Sequence, residues 1–168
     1  METDMPETEI DRILDELARD HDGDPWHGSP LQHILEGVTA ADASARPVAA
    51  GHSIWELVLH MTGWKSEVRR RLSGAPAKTP EAGDWPKAGE PTEARWQEAR
   101  EGLQRAHDDL VSAIRALPEE KLYTPTNDPR SKPLGTGVSY YVLLHGIVQH
   151  DVYHSGQIAI LKKGSTGF

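Results

Sequence analysis

Residues 92–117 read TEARWQEAREGLQRAHDDLVSAIRAL, and Trp96, Ala99, Leu103, Ala106, Leu110, Ala113 and Leu117 follow one another at alternating steps of three and four. At about 100° per residue these steps keep all seven side chains on one face of a helix. A continuous apolar stripe of that kind is the seam by which a helix joins a bundle. Thr92 opens the segment as an N-cap, and Pro118, which can donate no backbone hydrogen bond, closes it.

Three further segments carry the same periodicity. Residues 7–22 space Ile10, Ile13, Leu14 and Leu17 for one apolar face and end at Gly23 and Pro25. Ser53 and Glu56 form a capping-box pattern that opens a helix reaching Leu72, with Leu57, His60, Met61, Trp64, Val68 and Leu72 as its buried stripe. The last segment, residues 138–163, is predicted to stop at Gly164. A short helix over 30–36 and a turn over 39–45 lie between the first two. Residues 73–91, punctuated by Gly and Pro, form a loop long enough to be either a crossover or functional. A second Pro/Gly-rich loop spans residues 123–137. No strand-like alternation is sustained anywhere, so the fold class is all-α: one domain over residues 1–168, read as a four-helix bundle with short extra helical turns.

A chain of 168 residues can bury one sizeable core. Its formal charge of −8 argues against a nucleic-acid or membrane-surface partner. The basic clusters Arg69-Arg70-Arg71 and Lys162-Lys163 sit at helix C-termini, where they complement the helix dipole. No apolar run is long enough to span a bilayer and the N-terminus lacks a secretion signal, so a cytoplasmic location is expected. With no cysteine, a metal must be held by nitrogen and oxygen.

The nine histidines are the conspicuous excess. His150 and His154 stand one turn apart on the stripe that also carries Leu143, Ile147, Ile158 and Leu161. Two imidazoles pointed into an apolar face need partners there, and a divalent metal is one. A site with a position open for substrate takes three protein ligands. His60, between Leu57 and Trp64 on the buried side of the second long helix, is the candidate for the third. His145 lies about 140° around the helix from His150 and faces elsewhere. His107 falls off the seam of its helix, His52 precedes the second long helix, and His21, His27 and His33 lie in or near the first loop, His33 closest to the site mouth. Asp151 occupies the place of a general base beside His150, or else is a supporting or surface carboxylate. Gln157 either hydrogen-bonds a metal-bound water or is a packing and helix-contact residue. Glu56 is assigned to the capping box in preference to a bond with His60. Of the five tryptophans, Trp55, Trp64 and Trp96 read as core, while Trp26 and Trp85 lie in loops, where such a residue either lines a pocket rim or, as the default expectation, covers a bundle end.

On Ser53-Ile54-Trp55-Glu56-Leu57-Val58-Leu59-His60-Met61 and His150-Asp151-Val152-Tyr153-His154-Ser155-Gly156-Gln157-Ile158 the chain resembles the DinB family of small helical-bundle proteins, which includes the YfiT-like metal-dependent hydrolases. The segment Trp26-His27-Gly28 and the order of helices extend the resemblance over most of the chain. It implies a long crossover between the second and third long helices, a divalent metal (nickel or zinc) held by residues matching His60, His150 and His154, and a homodimer. It further implies a small-molecule substrate, with hydrolases and low-molecular-weight-thiol transferases or isomerases as the relevant chemistries. Because the chain has no cysteine, such a thiol would be a cosubstrate. A non-catalytic metal-binding or stress-response bundle is the alternative, and a bundle with buried histidines and no metal is the third.

Overall fold

The computed structural model describes residues 8–131 and 138–165. Among them are six α-helices: α1 Glu9–His21, α2 Leu31–Leu35, α3 Ala40–Ser44, α4 Ile54–Leu72, α5 Glu93–Arg115 and α6 Tyr140–Ser165. Two short 3₁₀ turns are added, Glu119–Tyr123 just ahead of the second expected loop and Pro129–Ser131 within it; residues 132–137 of that loop lie outside the described residues, and no β-strand is present among the described ones. The protein is all-α. No described helix is long and apolar enough to cross a membrane.

Local chemistry explains where the helices start. Thr8 with Asp11, Thr39 with Asp42 and Ser53 with Glu56 each form a reciprocal capping box. The Thr39 box turns residues 40–44, expected to be a turn, into a short helix. Pro30 offers α2 no side-chain cap. Instead Lys162 of α6 donates to the carbonyls of Ile34 and Glu36, at 2.9 and 2.6 Å, and so satisfies the other end of α2. Lys162 therefore serves the end of a neighbouring helix. Gly164 does not stop α6, which continues to Ser165.

α4 packs against both α5 and α6, and α1 lies against α5 and α6. The core is divided in two. One apolar cluster gathers Ile54, Leu57, Met61, Trp96, Leu103 and Ile158; the other gathers Leu17, Val68, Leu110, Ile114, Leu144 and Ile147. Between these two heights, every long helix contributes buried polar groups: Asp20 and His21 from α1, His60 and Lys65 from α4, His107 from α5, and Asp151, His154 and Ser155 from α6. His107 was expected off the seam, yet it is buried and stacks flat on His21 with ring centroids 3.7 Å apart.

The long segment after α4 has no helix but is tied down by polar bonds. Glu67 of α4 accepts from the Lys78 amide at 3.0 Å, and Arg71 donates to the Lys78 carbonyl at 2.9 Å. Trp64 Nε1 donates to Asp84 Oδ1 at 2.8 Å, holding the far part of the loop over the middle of α4. Gly63 makes room for this, since a Cβ there would meet Pro80 at 3.2 Å. Trp26, expected to cover a bundle end, is fully exposed and covers nothing.

Candidate metal centre

α4 delivers His60 and α6 delivers His150 and His154 to one point in the polar layer. One ring nitrogen from each lies within 4.8 Å of the others. The ring centroids are 5.0 Å apart for His60 and His150, 4.7 Å for His60 and His154, and 4.4 Å for His150 and His154. The two Nε2 atoms of His60 and His150 are 3.0 Å apart. His150 is the most open of the three, with a quarter of its side chain (24%) accessible.

Hydrogen bonds at the outer nitrogens set the tautomers. His60 Nδ1 is 2.5 Å from the Asp84 carbonyl, which can only accept, so the proton is on Nδ1 and Nε2 carries the lone pair. His154 Nδ1 likewise donates to Gln157 Oε1 at 2.6 Å. Burial lowers the pKa of both rings against the raising effect of these bonds, and His154 is brought down to about 4. Both are therefore neutral near pH 7, the form that ligates a cation.

His150 supplies the test of whether a divalent cation fits. With the His60 Nε2 as acceptor, a metal-free His150 must carry its proton on Nε2. Its Nδ1 is then a bare acceptor 3.6 Å from Asp151 Oδ1, and both of these buried atoms lack a hydrogen-bond partner among the described residues. Giving the Nε2 lone pair to a cation moves the proton to Nδ1, where it faces the carboxylate. One change resolves the acceptor–acceptor contact and produces the carboxylate–imidazole support usual for ligating histidines. The donor set and these two orphaned atoms fit a divalent cation.

Asp151 is itself only 1% exposed and forms an ion pair with the equally buried Lys65. Burial would raise its pKa; the Lys65 charge outweighs that and holds the carboxyl below its usual range. Asp151 is thus an ionised carboxylate placed behind His150. Gln157 is committed through Oε1 to His154. Glu56 belongs to the Ser53 capping box and pairs with Arg46, so His60 takes its outer bond from Asp84 instead.

Trp85 lies flat on His60, with centroids 3.8 Å apart and planes within 6°, and His52 stacks on its other face at 3.5 Å. Neither Asp84 nor Trp85 could be placed from spacing, because both sit in a segment without periodicity. Lys65 carried a signal: Met61, Lys65, Val68 and Leu72 continue the α4 stripe at four, three and four, and only its charge argued against burial. The remaining histidines stay away from the centre. His33 is exposed beside Glu36 and His27 approaches Asp20. His145 meets Glu9 and packs on Tyr141.

Residues 26–158 match the model of the DinB superfamily, and the chain belongs to that superfamily. No curated protein and no solved structure matches it. Superfamily membership and the three-histidine cluster together are consistent with binding of a divalent metal.

Proposed function

We propose that the protein is a divalent-metal-dependent enzyme acting on a small molecule, with His60, His150 and His154 as the ligands. The observation that carries this is the convergence of three ring nitrogens within 4.8 Å, two of them with their outer nitrogens already engaged as donors. When bound there, a nickel or zinc ion supplies Lewis-acid polarisation and lowers the pKa of what it holds. The chain's own contribution is orientation: the Asp84 carbonyl and Gln157 aim two imidazoles, Asp151 backs the third, Lys65 keeps Asp151 ionised, and Trp85 closes one side against water. The open side belongs to His150, which lines a cavity of about 560 Å³. A cavity at the most accessible ligand favours an enzyme, either a hydrolase or a transferase or isomerase using a low-molecular-weight thiol, over a non-catalytic metal-binding or stress-response protein.

The same proposal takes the whole chain as one domain, a four-helix bundle of α1, α4, α5 and α6, with residues 73–91 as the crossover. It includes a homodimer, supported by the apolar residues Val142, Tyr153 and Ile160 exposed on α6, and no nucleic-acid or membrane partner, supported by the charge of −8. Elemental analysis of protein purified without a nickel column tests the metal. About one equivalent per chain is expected, falling sharply in His60→Ala and His154→Ala while the helical circular dichroism is kept. A metal-to-chain ratio near zero in the wild type, or full metal in both variants, overturns the assignment. Hydrolytic and thiol-transfer screens on the metal-loaded protein, with His154→Ala as control, then address the reaction.

A further inference from the structure

The cavity beside His150 is walled on one side by apolar groups, among them Trp64, Val68, Leu143 and Ile147. Its charged lining is unbalanced the other way from the protein as a whole. Arg71, Lys78 and Arg130 face it against a single carboxylate, Asp128, in a chain whose formal charge is −8. Asp128 is already engaged by Arg130, which donates to it from Nη2 at 2.6 Å and from its own amide at 2.9 Å. Glu67, ionised and bonded to Arg71, offsets one of these cations as Asp128 offsets another, so the wall keeps a modest positive excess in an acidic protein, and low-dielectric surroundings strengthen its field.

Arg71 is the unusual member, because it is 94% buried yet not fully bonded. Its Nε donates to Glu67 at 2.9 Å and its Nη2 to the Lys78 carbonyl at 2.9 Å. Its Nη1 makes no hydrogen bond among the described residues and has only a long ion-pair contact, 3.8 Å to Asp128 Oδ2. The guanidinium plane is also steadied over Trp64, 5.6 Å from the ring centroid. A buried, clamped guanidinium with one nitrogen free of hydrogen bonds is a preorganised receptor for an anionic oxygen.

We propose that this cavity takes a small carboxylate with an apolar body, its acid group received by Arg71 Nη1 with Lys78 and Arg130 at the rim, and its body along Trp64 toward His150. This names the substrate class of the site proposed above and rests on that proposal for the role of His150. The anion preference itself belongs to Arg71 and can be measured without metal. Gly146 provides a second handle. It lines the cavity on α6, and a Cβ added there meets nothing within 4 Å. A larger side chain at 146 therefore enters the cavity, while loss of a helix-interior glycine favours the helix.

The test is calorimetric binding of 4-phenylbutyrate, 4-phenylbutyramide and inorganic phosphate to chelator-treated, full-length protein, repeated on Arg71→Gln and Gly146→Leu. The wild type is expected to prefer the carboxylate over the amide by about tenfold. Inorganic phosphate, which has no apolar body, should fail to displace the carboxylate at equal concentration. Arg71→Gln should reduce the preference to within about twofold. Gly146→Leu should abolish binding of both aryl probes with a melting temperature at or above that of the wild type. Since Arg71→Gln also disturbs the Lys78 segment, Gly146→Leu keeps the placement testable if that variant does not fold. Equal affinity for carboxylate and amide, displacement by phosphate, or wild-type binding in Gly146→Leu overturns the proposal. An absence of metal from the native protein would overturn the metal-dependent reading and leave the carboxylate preference standing.

Discussion

Trp85 and His60 are stacked face to face, 3.8 Å between centroids and 6° from parallel, although they stand 25 positions apart with the rest of α4 and half of a helix-free loop between them. The contact joins the loop after α4 to the candidate metal centre twice over, because the preceding residue, Asp84, accepts the His60 Nδ1–H. The loop thus sets both the plane and the tautomer of one imidazole.

Removing the indole should loosen that ring. Trp85→Ala is expected to weaken metal binding by about tenfold with little change in helical circular dichroism, and Trp85→Phe to recover most of the loss. Competition against a chromophoric chelator measures both. Wild-type affinity in Trp85→Ala would show that the Asp84 carbonyl alone orients His60.

Lys65 and Asp151 form an ion pair with each side chain 1% exposed. Breaking such a pair from one side leaves an unpaired charge in the core, at a cost of about 3–5 kcal/mol. Lys65→Met should lose that much in urea unfolding, whereas Lys65→Met combined with Asp151→Leu should lose clearly less, giving a strongly favourable coupling in the double-mutant cycle. A Lys65→Met variant within about 1 kcal/mol of the wild type would mean that water reaches the carboxylate.

The polar layer makes opposing contributions to the pH dependence of stability. Burial lowers the His107 pKa from 6.5 to about 3, with His21 and Lys65 adding to the effect. Between these values the unfolded chain binds the proton and the folded chain does not, so this contribution is full above pH 6.5 and is lost as pH falls toward 3. Asp20 has the reverse sign: burial, with Asp151 adding to it against Lys65, raises its pKa from 3.8 to about 7. Its contribution is present below 3.8 and is lost as pH rises through 7. Thermal melts of metal-free protein from pH 4 to 8 should show His107→Phe less sensitive to acid than the wild type. Asp20→Asn should gain more at pH 8 than at pH 4. A variant with the wild-type slope would remove its residue from the account.

Gly156 lies in the interior of α6, on an exposed face, and a Cβ there meets nothing within 4 Å. Gly156→Ala should therefore stabilise the helix by about 0.5–1 kcal/mol, raising the melting temperature by roughly 1–4 °C. A lowered melting temperature would indicate that another chain packs closely on that face.

Much of this architecture was legible in the periodicity of apolar residues. Steps of three and four placed the four long helices, and Ser53, Thr92 and Pro118 marked their ends. The same rule set His60, His150 and His154 on inward faces. Residue type misled in a few places. Lys65 lies on the α4 stripe although a cation is not expected in a core, and His107, expected off the seam, stacks on His21. Helix boundaries set by glycine also failed at Gly164, where α6 runs on.

What the sequence determined by itself was which residues share a helical face, because that depends only on an angle per residue. The partners of those faces depend on contacts between segments far apart in the chain. Only the tertiary structure brought Lys65 to Asp151 across 86 residues, stacked Trp85 on His60, and left Arg71 Nη1 facing a cavity beside His150. The physical reason is that a buried polar group must find its partner wherever packing provides one, and local spacing carries no record of where that is.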